Sequence, residues 1–210
     1  MKIQQLNQTA APHGVIGYTL GDNRYLNVTN RCTLRCAFCP KFNARWTVHD
    51  YELRLPREPT IEEIIEAAGD VEQYREIVFC GLGEPTLRLY EVLEVGARLR
   101  AEGGYIRVNT DGLANLVHGR DVTPDFDGIV NALSVSLNAQ NAEVYERHCR
   151  PPHPRSYDAM LDFVAYAREF VPDITLTAID GLAGVDVAAC ERIARRFGVQ
   201  FRRRVLDVVG

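Results

Sequence analysis

Cys32, Cys36 and Cys39 stand in a C-x3-C-x2-C spacing within residues 28–40, directly after a strand-like run at 25–29. Cysteine thiolates are the protein ligands of iron–sulfur clusters, and three so close in sequence can converge on one metal centre. In a cubane of four irons, three cysteines leave one iron without a protein ligand and free to bind a small molecule. The competing chemistry is zinc, which structural sites hold with four donors. The obvious local fourth donor here is His49, ten residues on. The loop alone leaves both readings open.

Such a loop needs a scaffold. Residues 14–20 and 24–29 read as two strands of a hairpin around Gly21-Asp22-Asn23. Residues 41–59, polar and aromatic with Trp46, Tyr51, Pro56 and Pro59, read as a long excursion that is either functional or a surface cover. Thr60-Ile61-Glu62-Glu63 is a capping box, and Ile61, Ile64, Ile65 and Ala68 give the helix behind it an apolar stripe. Strands are predicted at 76–80, 105–109, 129–137, 174–179 and 199–203. Helices are predicted at 87–101, 113–118, 142–149, 156–170 and 187–197, with Gly103-Gly104, the Arg150-Pro151-Pro152 run and Gly198 as stops.

Strands alternating with helices predict a parallel sheet with helices outside it. Six βα strands plus one hairpin strand are too few for a closed eight-unit barrel, which takes about 250 residues. The expected fold is therefore α/β: a partial (βα)6 TIM-like barrel, an open parallel sheet with outer helices and an N-terminal β-hairpin. One domain is expected over residues 1–210, with its core at about 24–205.

In barrels of this kind the chemistry gathers where strands end. The second βα strand ends at Gly81-Leu82-Gly83-Glu84-Pro85, whose glycines permit close backbone approach to a ligand. The third ends at Thr110-Asp111-Gly112, either a ligand contact or an Asp-Gly turn with positive φ. Ser136 and Asn138, at the end of the fourth, point to one side of the chain, for a ligand or as satisfied core polarity. Arg150 can pair with a carboxylate through a bidentate fork. Cys149 is a candidate proton or hydrogen-atom donor, whereas His153 beside prolines reads as a loop residue. Arg202 and Arg204 are placed to reach the barrel mouth from the last strand.

The cysteine spacing, with Phe38 before the last cysteine, resembles the signature of the radical S-adenosylmethionine (SAM) superfamily. Gly83-Glu84-Pro85 resembles the end of its Gly-Gly-Glu-Pro motif, although Leu82 separates the two glycines, and Asp111 stands where the family often has asparagine. Ser-x-Asn follows in the family's order, so the resemblance covers roughly residues 24–205. It implies a 4Fe–4S cluster on Cys32, Cys36 and Cys39 whose open iron chelates SAM. It implies a SAM shelf of Gly81, Gly83, Glu84, Thr110, Ser136, Asn138 and Arg150, with Asp180 and Leu182 flanking the adenine and Cys149 and Arg150 as catalytic candidates. The implied reaction is reductive cleavage of SAM to methionine and a 5′-deoxyadenosyl radical that abstracts hydrogen from a small-molecule or peptide substrate. A flavodoxin- or ferredoxin-like electron donor is implied as well. Val-Thr-Asn-Arg-Cys, Gly-Leu-Gly-Glu-Pro-Thr and Cys-Arg-Pro look most like the small TatD-associated radical SAM proteins, a likeness that names no reaction. The alternatives are an activase that installs a glycyl radical on a partner enzyme and, from a different class, a non-catalytic zinc- or cluster-binding module.

Composition bounds the partners. At 46% hydrophobic and 25% charged, the chain is of globular type. A net charge of −4 argues against broad nucleic-acid affinity, and Arg202-Arg203-Arg204 reads as a solvated or anion-pairing strand end. No apolar run is long enough to span a membrane, and residues 1–20 lack an export-signal pattern, so the cytoplasm is expected. Six cysteines are too few for a disulfide scaffold in a chain of 210 residues, and the isolated Cys80, Cys149 and Cys190 do not suggest a second cluster.

Overall fold

Strands such as 106–110, 132–136 and 173–180 alternate apolar and polar residues, and a strand shows successive side chains to opposite faces, so the sheet they build has two unlike faces. The structure is a computed structural model that describes residues 14–43 and 45–206. The expected absence of an export signal over residues 1–20 lies, for residues 1–13, outside the described residues.

The strands are β1 (Gly17–Leu20), β2 (Asn23–Leu26), β5 (Glu76–Phe79), β6 (Ile106–Thr110), β7 (Ala132–Ser136), β8 (Asp173–Asp180) and β9 (Gln200–Val205). They form one sheet of seven strands in that order. β1 and β2 pair antiparallel as the hairpin, and every later neighbour is parallel. The helices α1 (Ile61–Ala68), α2 (Leu89–Ala101), α3 (Ala114–His118), α4 (Ala142–Cys149), α5 (Ser156–Ala167) and α6 (Val187–Phe197) complete the fold. This is the open (βα)6 arrangement expected from the sequence.

One face of the sheet carries Leu26, Ile77, Phe79, Ile106, Val108, Leu133, Val135, Leu176 and Ala178, all buried in one core with Ile64, Val92, Leu99, Phe163 and Ala194 of the helices. The residues between them, including Tyr25, Asn109, Ser134, Ser136, Thr177, Arg202 and Arg204, belong to the other, inner face.

Local chemistry sets several boundaries. The Thr60 capping box is present, with Glu63 N donating to Thr60 Oγ1 (3.2 Å) and Thr60 N to Glu63 Oε2 (2.8 Å). The helix expected over 87–101 is present as α2 from Leu89 to Ala101; it is entered through a 3-10 turn, Pro85–Arg88, which Glu84 caps through Thr86 N (3.0 Å). The helix expected to reach residue 170 ends at Ala167, shortly before Val171-Pro172, where a residue preceding proline is pushed out of the helical region.

The 41–59 excursion holds a small hairpin, β3 (Thr47–Val48) with β4 (Tyr51–Glu52). It packs against the inner face through a second cluster of Tyr18, Val48 and Leu53. Val15 N donates to Glu52 O (2.8 Å) and Asn27 Nδ2 to Leu53 O (2.8 Å), so the excursion is tied to the residue just after β2 and to the residues before β1. Among the described residues no helix is long and apolar enough to cross a membrane.

Candidate active site

The last carbonyls of a helix have no partner within it. Here the cysteine loop supplies donors to those of α4: Arg35 N to Cys149 O (3.1 Å) and Ala37 N to His148 O (2.8 Å). On its other side the loop is pinned by Glu84 N donating to Arg31 O (2.8 Å) and Lys41 Nζ to Asn30 O (3.1 Å). The loop is thus held between the end of α4 and the glycine turn after β5.

That turn needs its glycines because of this contact. A Cβ at Gly83 would stand 2.1 Å from Thr29 O, and one at Gly81 would stand 2.2 Å from Asn27 Oδ1. The close approach expected toward a ligand is, in the first place, an approach to the chain's own backbone and to Asn27. Both glycines also line the cavity described below.

Glu84 is buried, and donors surround its carboxylate. Oε1 accepts from Thr86 N (3.0 Å), Thr86 Oγ1 (2.8 Å) and Thr110 Oγ1 (2.8 Å), and Oε2 accepts from Asp111 N (2.7 Å). Burial nonetheless pushes its pKa up. Asp111 makes the turn: Oδ1 accepts from Leu113 N (3.0 Å), and Gly112 takes φ +78°. Its other oxygen is buried without a partner. Burial, and then the Glu84 charge, raise the Asp111 pKa well above the usual range. The Cys32 thiol is pushed up by burial and then by Asp111 and Glu84. For Cys36 the chief cause is a hydrogen bond with Cys149, followed by burial. A pocket of buried acids, all shifted toward their neutral forms, is one that favours the arrival of positive charge.

A cavity of about 320 Å³ opens beside this cluster. Its walls bring together Cys36, Cys39, Gly81, Gly83, Glu84, Thr110, Ser136 and Asn138, with Arg202 and Arg204 opposite. Ser136, Thr177 and Arg202 lie level across three strands. Asn138 has left the strand at φ +56°. Its N–H donates to Thr177 O (3.0 Å), its Nδ2 to Cys149 Sγ (3.7 Å), and its Oδ1 accepts from Arg204 Nη2 (2.9 Å).

Four residues expected at the site stand elsewhere. Arg150 caps α4 in the left-handed region (φ +49°), which leaves its side chain exposed. Cys149 is fully buried in the main core beneath the cysteine loop and forms no part of the cavity wall. Asp180 falls on the same parity as Leu176 and Ala178, so it faces away from the cavity and pairs with Arg203. Leu182, in the turn after β8, is outside the wall as well. Cys32 is half-buried and packs against the core at the base of the loop, while His49 lies exposed in the β3–β4 turn. The sequence reading missed Tyr18, Tyr25, Cys80, Asn109 and Thr177 of the wall. The signal that could have found them is the polar residue at every second position of strands that a parallel sheet should bury.

Among the described residues, no group of three or more His, Cys, Asp or Glu side chains is gathered so as to hold a metal ion. A cubane sets a different requirement, because its irons occupy separate corners and keep their thiolates farther apart than a single ion does. All six cysteines are free, and Cys36 and Cys39 face the cavity beside the glycine turn. The donor type, its position and the cation-favouring surroundings fit a cluster there.

A sequence profile of the radical SAM superfamily matches residues 26–197. The chain belongs to that superfamily. No curated protein matches it in sequence. Among solved structures it is similar to TYW1 with a lysine–pyruvate adduct bound, at 16% identity and TM-score 0.61, over 90% of this chain and 66% of that one. It is similar to Streptococcus suis SuiB bound to S-adenosylmethionine, at 11% identity and TM-score 0.63, over 88% of this chain and 38% of that one. It is also similar to the FeFe-hydrogenase maturase HydG from Carboxydothermus hydrogenoformans, at 18% identity and TM-score 0.59, over 88% of this chain and 44% of that one. At such identities the likeness shows the fold, and this radical SAM chain spans less than two thirds of the length of each.

Proposed function

We propose that this protein is a radical SAM enzyme in which Cys32, Cys36 and Cys39 hold a 4Fe–4S cluster and the adjoining cavity holds SAM and a substrate. The observation that carries the reading is the shared wall: Cys36 and Cys39 open onto the same cavity as Gly81, Gly83, Ser136 and Asn138. When bound, the cluster supplies the electron that splits SAM into methionine and a 5′-deoxyadenosyl radical, and that radical takes hydrogen from the substrate.

The chain's own residues do the positioning. Backbone groups of the glycine turn receive the SAM ammonium, while Ser136 and Asn138 offer polar contacts to its ribose and carboxylate. Glu84 holds the turn and the end of β6 in register through its four accepted bonds. The β3–β4 hairpin and the Tyr18 cluster close the inner face on the β1 side, which keeps bulk water away from a radical that attacks its nearest neighbour. A flavodoxin- or ferredoxin-like protein supplies the electron.

The test is anaerobic reconstitution with iron and sulfide, followed by SAM and dithionite, with 5′-deoxyadenosine as the readout. The wild type is expected to form it, and Cys36→Ala to lose both bound iron and product. Undiminished 5′-deoxyadenosine from Cys36→Ala would falsify the assignment of the loop.

A further inference from the structure

Three arginines project onto the inner face of the sheet, and they are treated differently. Arg107, low on β6, is neutralised: its Nη2 stands 2.9 Å from Glu76 Oε2. Arg203, on the opposite face of β9, pairs with Asp180. Arg202 and Arg204 have no carboxylate within ion-pair distance among the described residues. Arg204 spends one Nη2 bond on Asn138 Oδ1, and its Nε is buried without an acceptor. A buried donor left unmade costs the desolvation of that group, and a guanidinium does not escape the cost by losing its proton. Burial and the neighbouring Arg202 both push the Arg204 pKa down, as expected for charge without a counter-charge.

The rest of the cavity defines what else the ligand must be. Its carboxylates, Glu84 and Asp111, sit at the cysteine-loop end, where Glu84 is already saturated by its own donors. The β1–β2 wall is aromatic, with Tyr18 and Tyr25 stacked at 5.2 Å between centroids. Arg202 lies two residues before Arg204, about 7 Å away along the strand; Arg202 is exposed and Arg204 half-buried, and both line the cavity.

We propose that Arg202 and Arg204 bind an oxyanion of the substrate, a carboxylate or phosphate, while its ring or hydrocarbon body rests against Tyr18 and Tyr25. This names the substrate class for the radical SAM reading of the same cavity and rests on that reading. Guanidinium forks match both oxyanions in a bidentate manner. A neutral or cationic substrate leaves the two charges unpaired.

SAM brings an oxyanion of its own, the carboxylate of its methionine part, and the experiment separates the two sources. Cluster-loaded protein is titrated calorimetrically under anaerobic conditions with inorganic phosphate, acetate and benzoate, with and without saturating SAM. Wild type, Arg202→Gln and Arg204→Gln are compared. The expected result is anion binding that persists with SAM present, tighter for benzoate than for acetate. Each variant should weaken it about tenfold or more; Arg202→Gln, which touches no residue assigned to SAM, should leave SAM affinity unchanged, whereas Arg204→Gln also frees Asn138 Oδ1 and is read on anion binding alone. The proposal is overturned if SAM abolishes anion binding in the wild type, if the wild type binds no anion, or if Arg202→Gln loses SAM affinity instead. Formation of 5′-deoxyadenosine, assayed in parallel on the wild type, judges the radical SAM reading separately, because anion binding needs no SAM cleavage.

Discussion

The two faces of one sheet follow opposite rules. The helix-covered face is a sealed core: Leu26, Ile77, Phe79, Ile106, Val108, Val135 and Leu176 have essentially no exposure. The inner face, built from the alternate residues of the same strands, is polar and imperfectly satisfied. Buried polar atoms without a partner include Asn23 Oδ1, Asn27 Oδ1, Arg107 Nε, Asn109 Oδ1 and Arg204 Nε on that face, and Thr33 Oγ1, Asp111 Oδ2 and Tyr145 Oη around the cysteine loop. Native structures pair almost all buried polar groups, so a concentration of exceptions on one face marks where ligands are expected. One face specifies the fold, and the other gives up stability to remain available.

This contrast can be broken by substitution. The largest effect is expected from Phe79→Ala on the helix-covered face, where a fully buried ring is lost from the main core. Urea unfolding should show a loss of about 3–5 kcal/mol. A loss below 1 kcal/mol would mean that the core can collapse around the void and that the face is less tightly specified than its burial implies. Next comes Glu84→Gln at the junction of the two regions. The amide retains one acceptor oxygen against donors on both carboxylate oxygens, so about 1.5–3 kcal/mol of stability should go. SAM affinity should fall with it, because the glycine turn loses its anchor. Full stability in this variant would show that the anchor is dispensable. The smallest effect is expected from Ser136→Ala on the inner face, half-buried and without a side-chain bond to another described residue. Unfolding should shift by no more than about 0.5 kcal/mol, while calorimetry on the cluster-loaded protein should show weaker SAM binding. A stability loss comparable to that of Phe79→Ala would erase the distinction between the faces.

Much of the architecture was legible in the chain because its signals are local. The capping box at Thr60, the Ala142 to Cys149 helix and the glycine stop at Gly198 each depend on neighbours a few residues away, and each stands where expected. Alternation along β6, β7 and β8 likewise reveals two faces before any fold is known. Where a motif directly follows a strand, as with Cys36, Gly83, Thr110 and Asn138, the residues singled out meet on one cavity wall. Arg150 and Asp180 do not reach it. One points away because a helix cap turned the backbone left-handed, and the other because strand parity placed it on the opposite face.

The sequence alone therefore determined the order of elements, the parallel sheet and the cysteine loop that defines the family, since these follow from spacing and periodicity. The tertiary structure alone decided why Gly81 and Gly83 must be glycines, which is contact with segments some fifty residues earlier. It also decided that two arginines of the last strand face a stacked tyrosine pair from the first hairpin across one cavity. Those relations join the two ends of the chain, and no local pattern encodes a contact whose partners meet only when the sheet curls.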